Sequence, residues 1–360
     1  MARQKITFPS VTADVVDKVE QKAIKSSYKH RDDLLPSGST LLNLALAENP
    51  YGGWSVGKIV NIIGDTHAGK TFLFWQMLAE MANDKRYDDY KLYYDDVEEA
   101  LEFDVIKLFG KKTNSRVIYG SQLESSDTIE SALIRVRDIL GKGEMFVYAV
   151  DSVDALDTVK DQKVKDEDVG KRDYPDKPRI VNDMFRRTKK KIKSSRSALF
   201  MISQTRDKIG IVFGSKKRRV CDKPLDFFST HVLWLAIKGQ IKRKDMHVGN
   251  IIRVRISKNK LTGKRREVEF PIYTDYGIDD IESMIDWMVE EKFWKMKRKE
   301  KGSKEDPIIQ TQGDFIDATK DNLIEFIENH DIQDELRQLV ADCWMQNEEE
   351  IATKRPPRYS

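Results

Sequence analysis

Cysteine is scarce in this chain: only Cys221 and Cys343 occur among its 360 residues. The two cysteines lie far apart and have no metal-binding residues around them, which excludes a disulfide framework and a zinc site. The sequence also has no apolar run long enough to cross a membrane, and its first residues lack the apolar segment of a secretory signal. These absences predict a soluble protein of a reducing cytoplasm.

The chain has almost no excess of charge of either sign: it contains 63 Lys and Arg residues and 60 Asp and Glu residues, which gives a net charge of +3. Charged residues nevertheless make up 34% of the chain, more than an average globular protein carries, while hydrophobic residues at 39% suffice for a core. The small net charge therefore hides local clusters of one sign. A length of 360 residues allows one large domain with appendages, or two domains.

Apolar runs of strand length alternate with amphipathic helical stretches between residue 40 and about residue 276. This alternation is typical of an α/β fold with a parallel or mixed sheet covered by helices. The clearest strands are predicted at residues 58–63, 91–95, 145–151, 198–203, 231–237 and 251–257.

Helical periodicity also marks both ends of the chain. Residues 12–25 and 278–294 each place apolar side chains on one face, and further helical periodicity runs through residues 315–350. The basic stretch at residues 295–304 is expected to lack regular structure. We see no internal repeat.

Eight consecutive residues match the phosphate-binding pattern G-x-x-x-x-G-K-[ST]: Gly64, Asp65, Thr66, His67, Ala68, Gly69, Lys70 and Thr71. A predicted strand precedes the motif and a predicted helix follows it, which is the context in which this loop binds nucleotides. The backbone N–H groups would point at phosphate oxygens, Lys70 would reach the β- and γ-phosphates, and the Thr71 hydroxyl would bind Mg²⁺. The alternative is a glycine-rich turn that binds nothing.

Polar side chains follow three other predicted strands. Asp151 ends an apolar strand and is expected to act on the metal side beside Thr71, although strand-ending aspartates are also common in turns. Residues 95–99 form an acidic cluster, which either deprotonates the attacking water or lies in a solvated turn. Gln204 follows a third strand, where an amide can contact the γ-phosphate and report its loss to the next segment.

Basic residues are grouped in two regions. Residues 160–179 are rich in Lys and Asp, and the predicted helix after them carries further cations: Arg186, Arg187, Lys189, Lys190, Lys191, Lys193 and Arg196. Residues 206–223 mix cations with apolar side chains. Cations that neutralise phosphates, interleaved with apolar side chains that pack on bases, suit single-stranded nucleic acid. The alternative is a solvated charged loop.

Several of these stretches together resemble the RecA recombinase family of bacteria and their phages. The similar segments are residues 37–46, 57–71, 96–101, 150–153, 202–214 and 257–260. The resemblance extends over roughly residues 37–295 and implies a RecA-like P-loop ATPase core, an α/β fold with a mixed, mostly parallel sheet and helices on both faces. Because several motifs occur in the family's order, they are more specific as a set than the phosphate loop alone.

The resemblance implies roles for single residues. Glu98 would activate the attacking water, and Gln204 would link ATP to the DNA-binding loop that follows it. Lys258 and Lys260 would reach the ATP of the neighbouring subunit. Ile209 would insert between bases, and the DNA-binding residues implied in all are Arg179, Arg186, Arg206, Lys208, Ile209, Lys216, Lys217, Arg218 and Arg219.

The chain also departs from the family pattern. Residues 218–222 replace a glycine pair of the second DNA loop, and Asp226 stands where a lysine is expected at the subunit boundary. Val105 takes the place of the aromatic residue near the adenine, and His67 that of a small residue in the phosphate loop. The C-terminal region matches poorly and lacks a strongly acidic tail, which favours a phage-type or otherwise divergent member.

The resemblance implies an enzyme: a DNA-dependent ATPase that forms helical filaments on single-stranded DNA and catalyses homologous pairing and strand exchange with double-stranded DNA. Its cofactors would be ATP and Mg²⁺, and single-strand-binding and mediator proteins would be further partners. It would work in the cytoplasm, or in the host cytoplasm if a phage encodes it, without contacting a membrane. Two alternatives stay open: a ring-forming helicase or motor on the same core, and an annealing mediator that does not hydrolyse ATP.

Three regions are expected along the chain. Residues 1–36 would be a helical oligomerisation segment, and residues 37–276 a RecA-like ATPase core with two DNA-binding loops. Residues 277–360 would form an α-rich C-terminal domain with a tail.

Overall fold

The structure, a computed structural model, describes residues 28–101, 103–163, 176–207, 217–219, 221–297, 306–313 and 315–355. The predicted helix at residues 12–25 lies outside this described part. Within it, no helix is both long enough and apolar enough to cross a membrane.

Ten α-helices occur in the described part of the chain. In chain order they are α1 (Thr40–Ala47), α2 (Lys70–Asn83), α3 (Val105–Arg116), α4 (Ile129–Gly141), α5 (Val159–Gln162), α6 (Asp176–Ser194), α7 (Asp222–Phe228), α8 (Asp280–Glu290), α9 (Lys320–Asn329) and α10 (Gln333–Ile351). Short 3₁₀ turns occupy Lys85–Tyr87 and Gly120–Gln122.

The same residues form 15 β-strands. They are β1 (Leu34–Leu35), β2 (Trp54–Ser55), β3 (Ile59–Gly64), β4 (Lys91–Asp96), β5 (Val117–Ile118), β6 (Phe146–Asp151), β7 (Ala198–Gln204), β8 (Arg206–Asp207), β9 (Lys217–Arg218), β10 (His231–Arg243), β11 (Met246–Asn259), β12 (Glu267–Tyr273), β13 (Gly277–Ile278), β14 (Lys295–Lys297) and β15 (Ile308–Gln310).

Nine of these strands form one mixed sheet in the order β13-β12-β11-β10-β3-β7-β6-β4-β5. The neighbours from β10 to β5 pair in parallel. From β10 to β13 the pairing is antiparallel. Because β3, β7, β6 and β4 run in one direction, the residues that follow them meet at one edge of the sheet. We call this the nucleotide edge.

Helices shield the parallel strands from solvent, and their sequences reflect this. Every residue of β3 and of β6 is buried. Apolar residues of α4 and α6 pack with β6 and β7 in one core cluster. Strands covered on both faces read as continuous apolar runs, which is why these strands could be predicted without alternation.

All six predicted strands and the mixed sheet are confirmed, with two differences in length. Strands β10 and β11 extend well beyond the predicted residues 231–237 and 251–257, because they form a long hairpin whose far end is polar and exposed. Strand β12 was not predicted. The expectation of no regular structure at residues 295–304 is wrong for Lys295–Lys297, which pairs with β15.

The chain divides into two compact units. The larger unit comprises residues 30–283 and contains the nine-stranded sheet. The smaller unit takes in the described residues 28–29 and 284–355, where Trp287 stacks on Trp344 at 5.6 Å between ring centroids. The predicted helicity of residues 315–350 is confirmed by α9 and α10.

Candidate active site

The phosphate-binding motif forms the turn between β3 and α2. Gly69 has a φ of 80°, and a Cβ there would lie 2.7 Å from Ile272 Cδ1, so the position requires glycine. His67 is also left-handed, with a φ of 62°, a conformation that histidine tolerates better than branched residues do. The buried Lys70 ammonium donates to the Asp65 carbonyl at 2.8 Å. Burial lowers the pKa of Lys70, opposed by nearby carboxylates.

Asp151 lies directly beside the start of α2. Its Oδ2 accepts hydrogen bonds from Thr71 Oγ1 at 2.6 Å and from the Tyr94 hydroxyl at 3.0 Å. Burial raises the pKa of Asp151 to about 6, although both hydrogen bonds and Lys70 favour the charged form. A buried carboxylate of this kind favours a cation next to it.

Glu98 reaches the same edge from the turn after β4. Its Oε1 accepts from the Ser152 hydroxyl and, at 2.6 Å, from the Gln204 side-chain amide. The Gln204 backbone N–H donates to Asp154 Oδ2 at 2.7 Å, which fixes the end of β7. Thr205 bonds the Asp65 side chain of the phosphate loop. The ends of β3, β4, β6 and β7 are thus joined by side chains.

Two other members of the acidic cluster, Asp95 and Asp96, are structural. Asp95 is fully buried and accepts from Ser126 N at 3.0 Å, Ser126 Oγ at 2.7 Å, Tyr148 OH at 2.5 Å and Arg135 Nη1 at 3.1 Å. Asp96 accepts the backbone N–H groups of residues 100 and 101. These bonds fix the turn from which Glu98 projects, whereas Glu99 is exposed to solvent.

A cavity of about 420 Å³ opens over the phosphate loop. Glu98, Asp151 and Gln204 line it together with the loop, and its far side comes from the antiparallel strands: His247, Asn250, Ile252, Ile272 and Thr274. Sequence reasoning did not find these five residues. Nothing in their own pattern marks them, because they meet the loop only through strand order.

Val105 is not the counterpart of an aromatic residue at the base. It is 5% exposed and forms the buried start of α3. Two phenylalanines line the cavity instead: Phe103, two residues earlier, and Phe72, with 4.9 Å between their ring centroids. The expectation is corrected because the chain turns into α3 after Phe103 and carries position 105 into the core.

These residues fit a magnesium nucleotide. Thr71 and Asp151 offer oxygen ligands, which Mg²⁺ prefers, and few protein ligands are needed when phosphates and waters complete the shell. Among the described residues, no cluster of three or more His, Cys, Asp or Glu side chains offers a separate metal site. The buried Lys70 and the N-terminus of α2 supply the positive potential that phosphates require.

Lys258 and Lys260 lie at the opposite edge of the sheet. Lys258 pairs with Val232, which pairs with Asn61. Lys260 N–H donates to Thr230 O at 3.0 Å, and Thr230 N–H donates to Ile59 O at 2.8 Å. At the rise of a strand, the end of β3 lies about 17 Å beyond the level of Ile59 and about 10 Å beyond that of Asn61. Strand β11 also lies two strands to the side of β3, which adds about 10 Å of lateral distance. The lysine pair is therefore out of reach of the phosphate loop in its own chain.

The amino groups of both lysines bond carbonyls at the end of α7. Lys258 Nζ donates to the carbonyls of Asp226 and, at 3.2 Å, Phe227, and Lys260 Nζ donates to that of Phe227 at 3.3 Å. Burial, and then the neighbouring Lys260, lower the pKa of Lys258 to about 8. A nearby phosphate would favour its charged form.

The structure describes only some of the residues that are expected to bind DNA. Arg179 and Arg186 are exposed on α6, and Arg186 pairs with Asp183 at 2.7 Å. Lys208, Ile209 and Lys216 lie outside the described residues. Arg206, Lys217 and Arg218 are described in backbone only, where β8 pairs with β9 and forms a stem under the second loop.

Arg219 is placed away from solvent. Its side chain is 6% exposed, its Nη2 lies 2.7 Å from Asp226 Oδ2, and its guanidinium stands 5.0 Å from the Trp234 ring centroid. The carboxylate at position 226, where a lysine is expected, is thus held within its own chain. In this conformation the Arg219 guanidinium is held by residues of its own chain, and its DNA-binding role stays a prediction.

The RecA N-terminal domain model matches residues 17–279. The chain belongs to the RecA family. It is 29% identical to Protein RecA of Acidothermus cellulolyticus over 311 residues, covering 86% of this chain and 84% of the relative. It is 31% identical to Protein RecA of Paracoccus denitrificans over 250 residues, covering 69% of this chain and 66% of the relative. Protein RecA of Nocardia farcinica is 28% identical over 310 residues, covering 86% of this chain and 83% of the relative.

Membership of the RecA family accounts for the site. The protein is an ATP-dependent recombinase and a DNA-dependent ATPase that uses ATP and Mg²⁺. It works as a DNA-bound helical filament. An origin in a phage stays a prediction, since the named relatives are bacterial.

Proposed function

We propose that this RecA-family recombinase hydrolyses ATP between adjacent subunits, with one set of residues from each. Lys70 and the loop from Gly64 to Thr71 would bind the phosphates, and Thr71 and Asp151 would hold Mg²⁺. The metal, when bound, neutralises phosphate charge and screens the repulsion that an attacking nucleophile meets. Lys258 and Lys260 of the next subunit would complete the site.

One observation carries this proposal: the Glu98 carboxylate is held between the Ser152 hydroxyl and the Gln204 amide, beside the pair formed by Thr71 and Asp151. Glu98 would orient the attacking water and accept its proton. Gln204 bonds Glu98 here, and its side-chain amide has a second N–H that could contact a γ-phosphate. A movement of this side chain on gain or loss of that phosphate would transmit the state of the nucleotide to the stem formed by β8 and β9.

The position of the lysine pair supports a shared site. Lys258 and Lys260 cannot reach the phosphate loop of their own chain, so a contact with ATP has to be made in another copy. A contact between opposite edges of two copies is head-to-tail, and it generates a helical filament where the rotation between copies does not close a ring. Residues 1–36 would pack on the adjacent core and strengthen the contact.

The two loops after α5 and β8, together with Arg179 and Arg186 of α6, would bind the unpaired strand through the DNA-binding residues named above. The core of residues 37–276 would carry both loops, and residues 277–360 would form a separate α-rich domain. Single-strand-binding and mediator proteins would act as partners of the filament in the cytoplasm.

The test is ATP turnover with and without single-stranded DNA in the full-length protein and in Glu98→Gln. We expect DNA to stimulate turnover in the unchanged protein. The variant should lose about 10²- to 10⁴-fold, the usual contribution of a general base, while still binding nucleotide and DNA.

A matched control is Glu99→Gln, because Glu99 is the exposed neighbouring carboxylate and bonds only Ser125 among the described residues. Its turnover should stay within about twofold of the unchanged protein. Undiminished turnover in Glu98→Gln, or equal losses in both variants, would remove Glu98 from the site. Closed rings with directional unwinding would instead favour a helicase on the same core.

A further inference from the structure

Tyr94 places a phenol beside the nucleotide edge from inside the core. It is 2% exposed and lies on β4, between Tyr93 and Asp95. Its ring packs against α2, with its centroid 6.1 Å from that of Phe74 and 5.2 Å from that of Trp75. A phenylalanine would fill the same space without burying a hydroxyl group, so this hydroxyl needs a polar partner in the core.

The register of the sheet brings the Tyr94 hydroxyl to Asp151. Strands β4 and β6 are parallel neighbours, with Tyr94 level with Ala149 and Asp96 level with Asp151. Residues two apart on a strand share a face, so Tyr94 and Asp151 lie on the same face of the sheet, one diagonal step apart. The Tyr94 hydroxyl spans this step and donates to Asp151 Oδ2 at 3.0 Å.

Two hydroxyl groups converge on one oxygen of Asp151. Its Oδ2 accepts from Thr71 Oγ1 at 2.6 Å as well as from Tyr94. Within the described part of the chain, its Oδ1 accepts no hydrogen bond. Because Asp151 also lines the cavity over the phosphate loop, one oxygen holds the carboxylate in place and the other is left for the metal side.

The phenol is the donor in its contact with Asp151. Burial, and then the charge of Asp151, raise the pKa of Tyr94, so the phenol keeps its proton. Burial also raises the pKa of Asp151, and the hydrogen bonds from Thr71 and Tyr94 oppose that rise. Hydrogen bonds to a charged carboxylate are stronger than bonds between neutral groups. Tyr94 therefore stabilises the charged carboxylate in one orientation.

The orientation of Asp151 decides how Thr71 can act. A threonine hydroxyl has one hydrogen and two lone pairs. When Thr71 donates its hydrogen to Asp151, its lone pairs remain available to Mg²⁺, which prefers oxygen ligands. The last torsion of an aspartate side chain is soft. Without the bond from Tyr94, the carboxylate would rotate more freely and Thr71 would lose its fixed acceptor.

We propose that Tyr94 is a positioning residue for the magnesium site: its hydroxyl fixes the Asp151 carboxylate, and through it the Thr71 hydroxyl, before the metal binds. Tyr94 does not line the cavity itself, so it acts through Asp151. Groups that orient metal-binding residues in this way usually contribute about 10- to 100-fold to metal affinity. The inference rests on the proposed function, which assigns Mg²⁺ to Thr71 and Asp151.

The test compares Tyr94→Phe with Tyr148→Phe in the full-length protein. Tyr148 is the matched control, because it is also buried and its hydroxyl donates to another buried carboxylate, that of Asp95, at 2.5 Å. Neither Tyr148 nor Asp95 lines the cavity. Each variant keeps its ring and loses one hydroxyl. Binding of a fluorescent ADP analogue, which undergoes no turnover, is measured by titration in excess Mg²⁺ and in EDTA.

We expect Mg²⁺ to tighten ADP binding by the unchanged protein. The ratio of the affinities with and without Mg²⁺ should fall about 10-fold in Tyr94→Phe, while the affinity in EDTA stays within about twofold. Tyr148→Phe should keep the ratio within about twofold, because its partner is not a metal-binding group. Both variants should lose a similar few degrees in Tm, since each loses one buried hydrogen bond.

An unchanged ratio in Tyr94→Phe, or an equal fall in both variants, would overturn the proposal. A loss of ADP affinity in EDTA as large as that in Mg²⁺ would also overturn it, because Tyr94 would then only support the packing of the site. DNA-stimulated ATP turnover of the unchanged protein is measured in the same preparation. Its absence would count against the proposed function, whereas the ratio judges Tyr94 alone.

Discussion

The parallel and antiparallel halves of the sheet contribute to the site in different ways. The parallel strands β3, β4 and β6 are each six residues long. Their candidate functional residues lie at one edge of the sheet, where each strand ends. The antiparallel strands β10 and β11 are 13 and 14 residues long and carry functional candidates at both edges. The two halves differ in where their candidate residues lie because their strands pair in different directions, not because their residue types differ.

Strand β11 shows what this difference allows. Asn250 lines the cavity above the phosphate loop, and Lys258 lies eight residues further along the same strand. At about 3.4 Å per residue the two side chains are roughly 27 Å apart. One rigid strand can therefore contact its own nucleotide at one end and the nucleotide of a neighbour at the other.

The largest effect is expected when two defective variants are mixed, which tests whether the lysine pair of one subunit acts on the nucleotide of its neighbour. The double variant Lys258→Ala, Lys260→Ala should lose more than about 10²-fold in DNA-stimulated turnover, as when charge-stabilising donors are removed from an active site. Mixed equally with Glu98→Gln, it should recover to about a quarter of the unchanged activity, because a quarter of head-to-tail contacts join an intact Glu98 to an intact lysine pair.

Turnover of the mixture is compared with that of each variant alone at the same total protein and DNA concentration. If the mixture is no more active than the mean of its components, the lysine pair does not act across a subunit contact. The antiparallel half would then have no function distinct from the parallel half.

A second test asks whether the parallel half depends on its buried charges. Arg135 is 24% exposed in its side chain and pairs with the fully buried Asp95. Arg135→Ala should lower the free energy of unfolding by about 2 to 3 kcal/mol, the upper range for a hydrogen bond to a charged group. The loss should be smaller than for a fully buried ion pair, because Arg135 is partly exposed and Asp95 keeps its bonds to Ser126 and Tyr148. Chemical denaturation measures the change.

Arg137→Ala is the matched control, because Arg137 lies two residues further on the same helix and its side chain is 64% exposed. It should change the free energy of unfolding by less than about 0.5 kcal/mol. Similar effects of the two substitutions would mean that the Asp95 network does not stabilise the turn before Glu98.

The third test concerns the boundary between the parallel and antiparallel halves of the sheet, where His231 of β10 pairs with Val60 of β3. Burial, and then the charge of Lys58, lower the pKa of His231 to about 3. The unfolded chain takes up a proton below about pH 6.5, where the folded chain does not, so stability is lost as the pH falls from 6.5 towards 3. The loss should be about 2 kcal/mol at pH 5.

Denaturation at pH 7.5 and pH 5 in the unchanged protein and in His231→Gln checks this expectation. The variant should lose about 2 kcal/mol less between the two pH values, whatever its stability at pH 7.5. Equal losses in both proteins would show that His231 titrates normally and that its side chain at this boundary is accessible to solvent.

Much of the fold could be predicted from the sequence because buried parallel strands are continuous apolar runs. Segments β3, β6 and β7 were found in this way, and the phosphate loop followed from its own pattern. Strand β12 was not, because the proline and charged residues in its sequence obscure it, and its burial depends on pairing with β11. The sequence pattern points to Val105, not Phe103, as the residue near the base, because the residue that faces the cavity depends on where α3 begins.

The sequence by itself determined which residues end the parallel strands and that one of these ends binds phosphate, because these are local patterns of spacing and polarity. Only the tertiary structure decided that Glu98, Ser152 and Gln204 meet, since this requires β4, β6 and β7 to lie side by side in the sheet. It alone also placed Lys258 and Lys260 at the far edge, because an antiparallel strand returns its end to the opposite side.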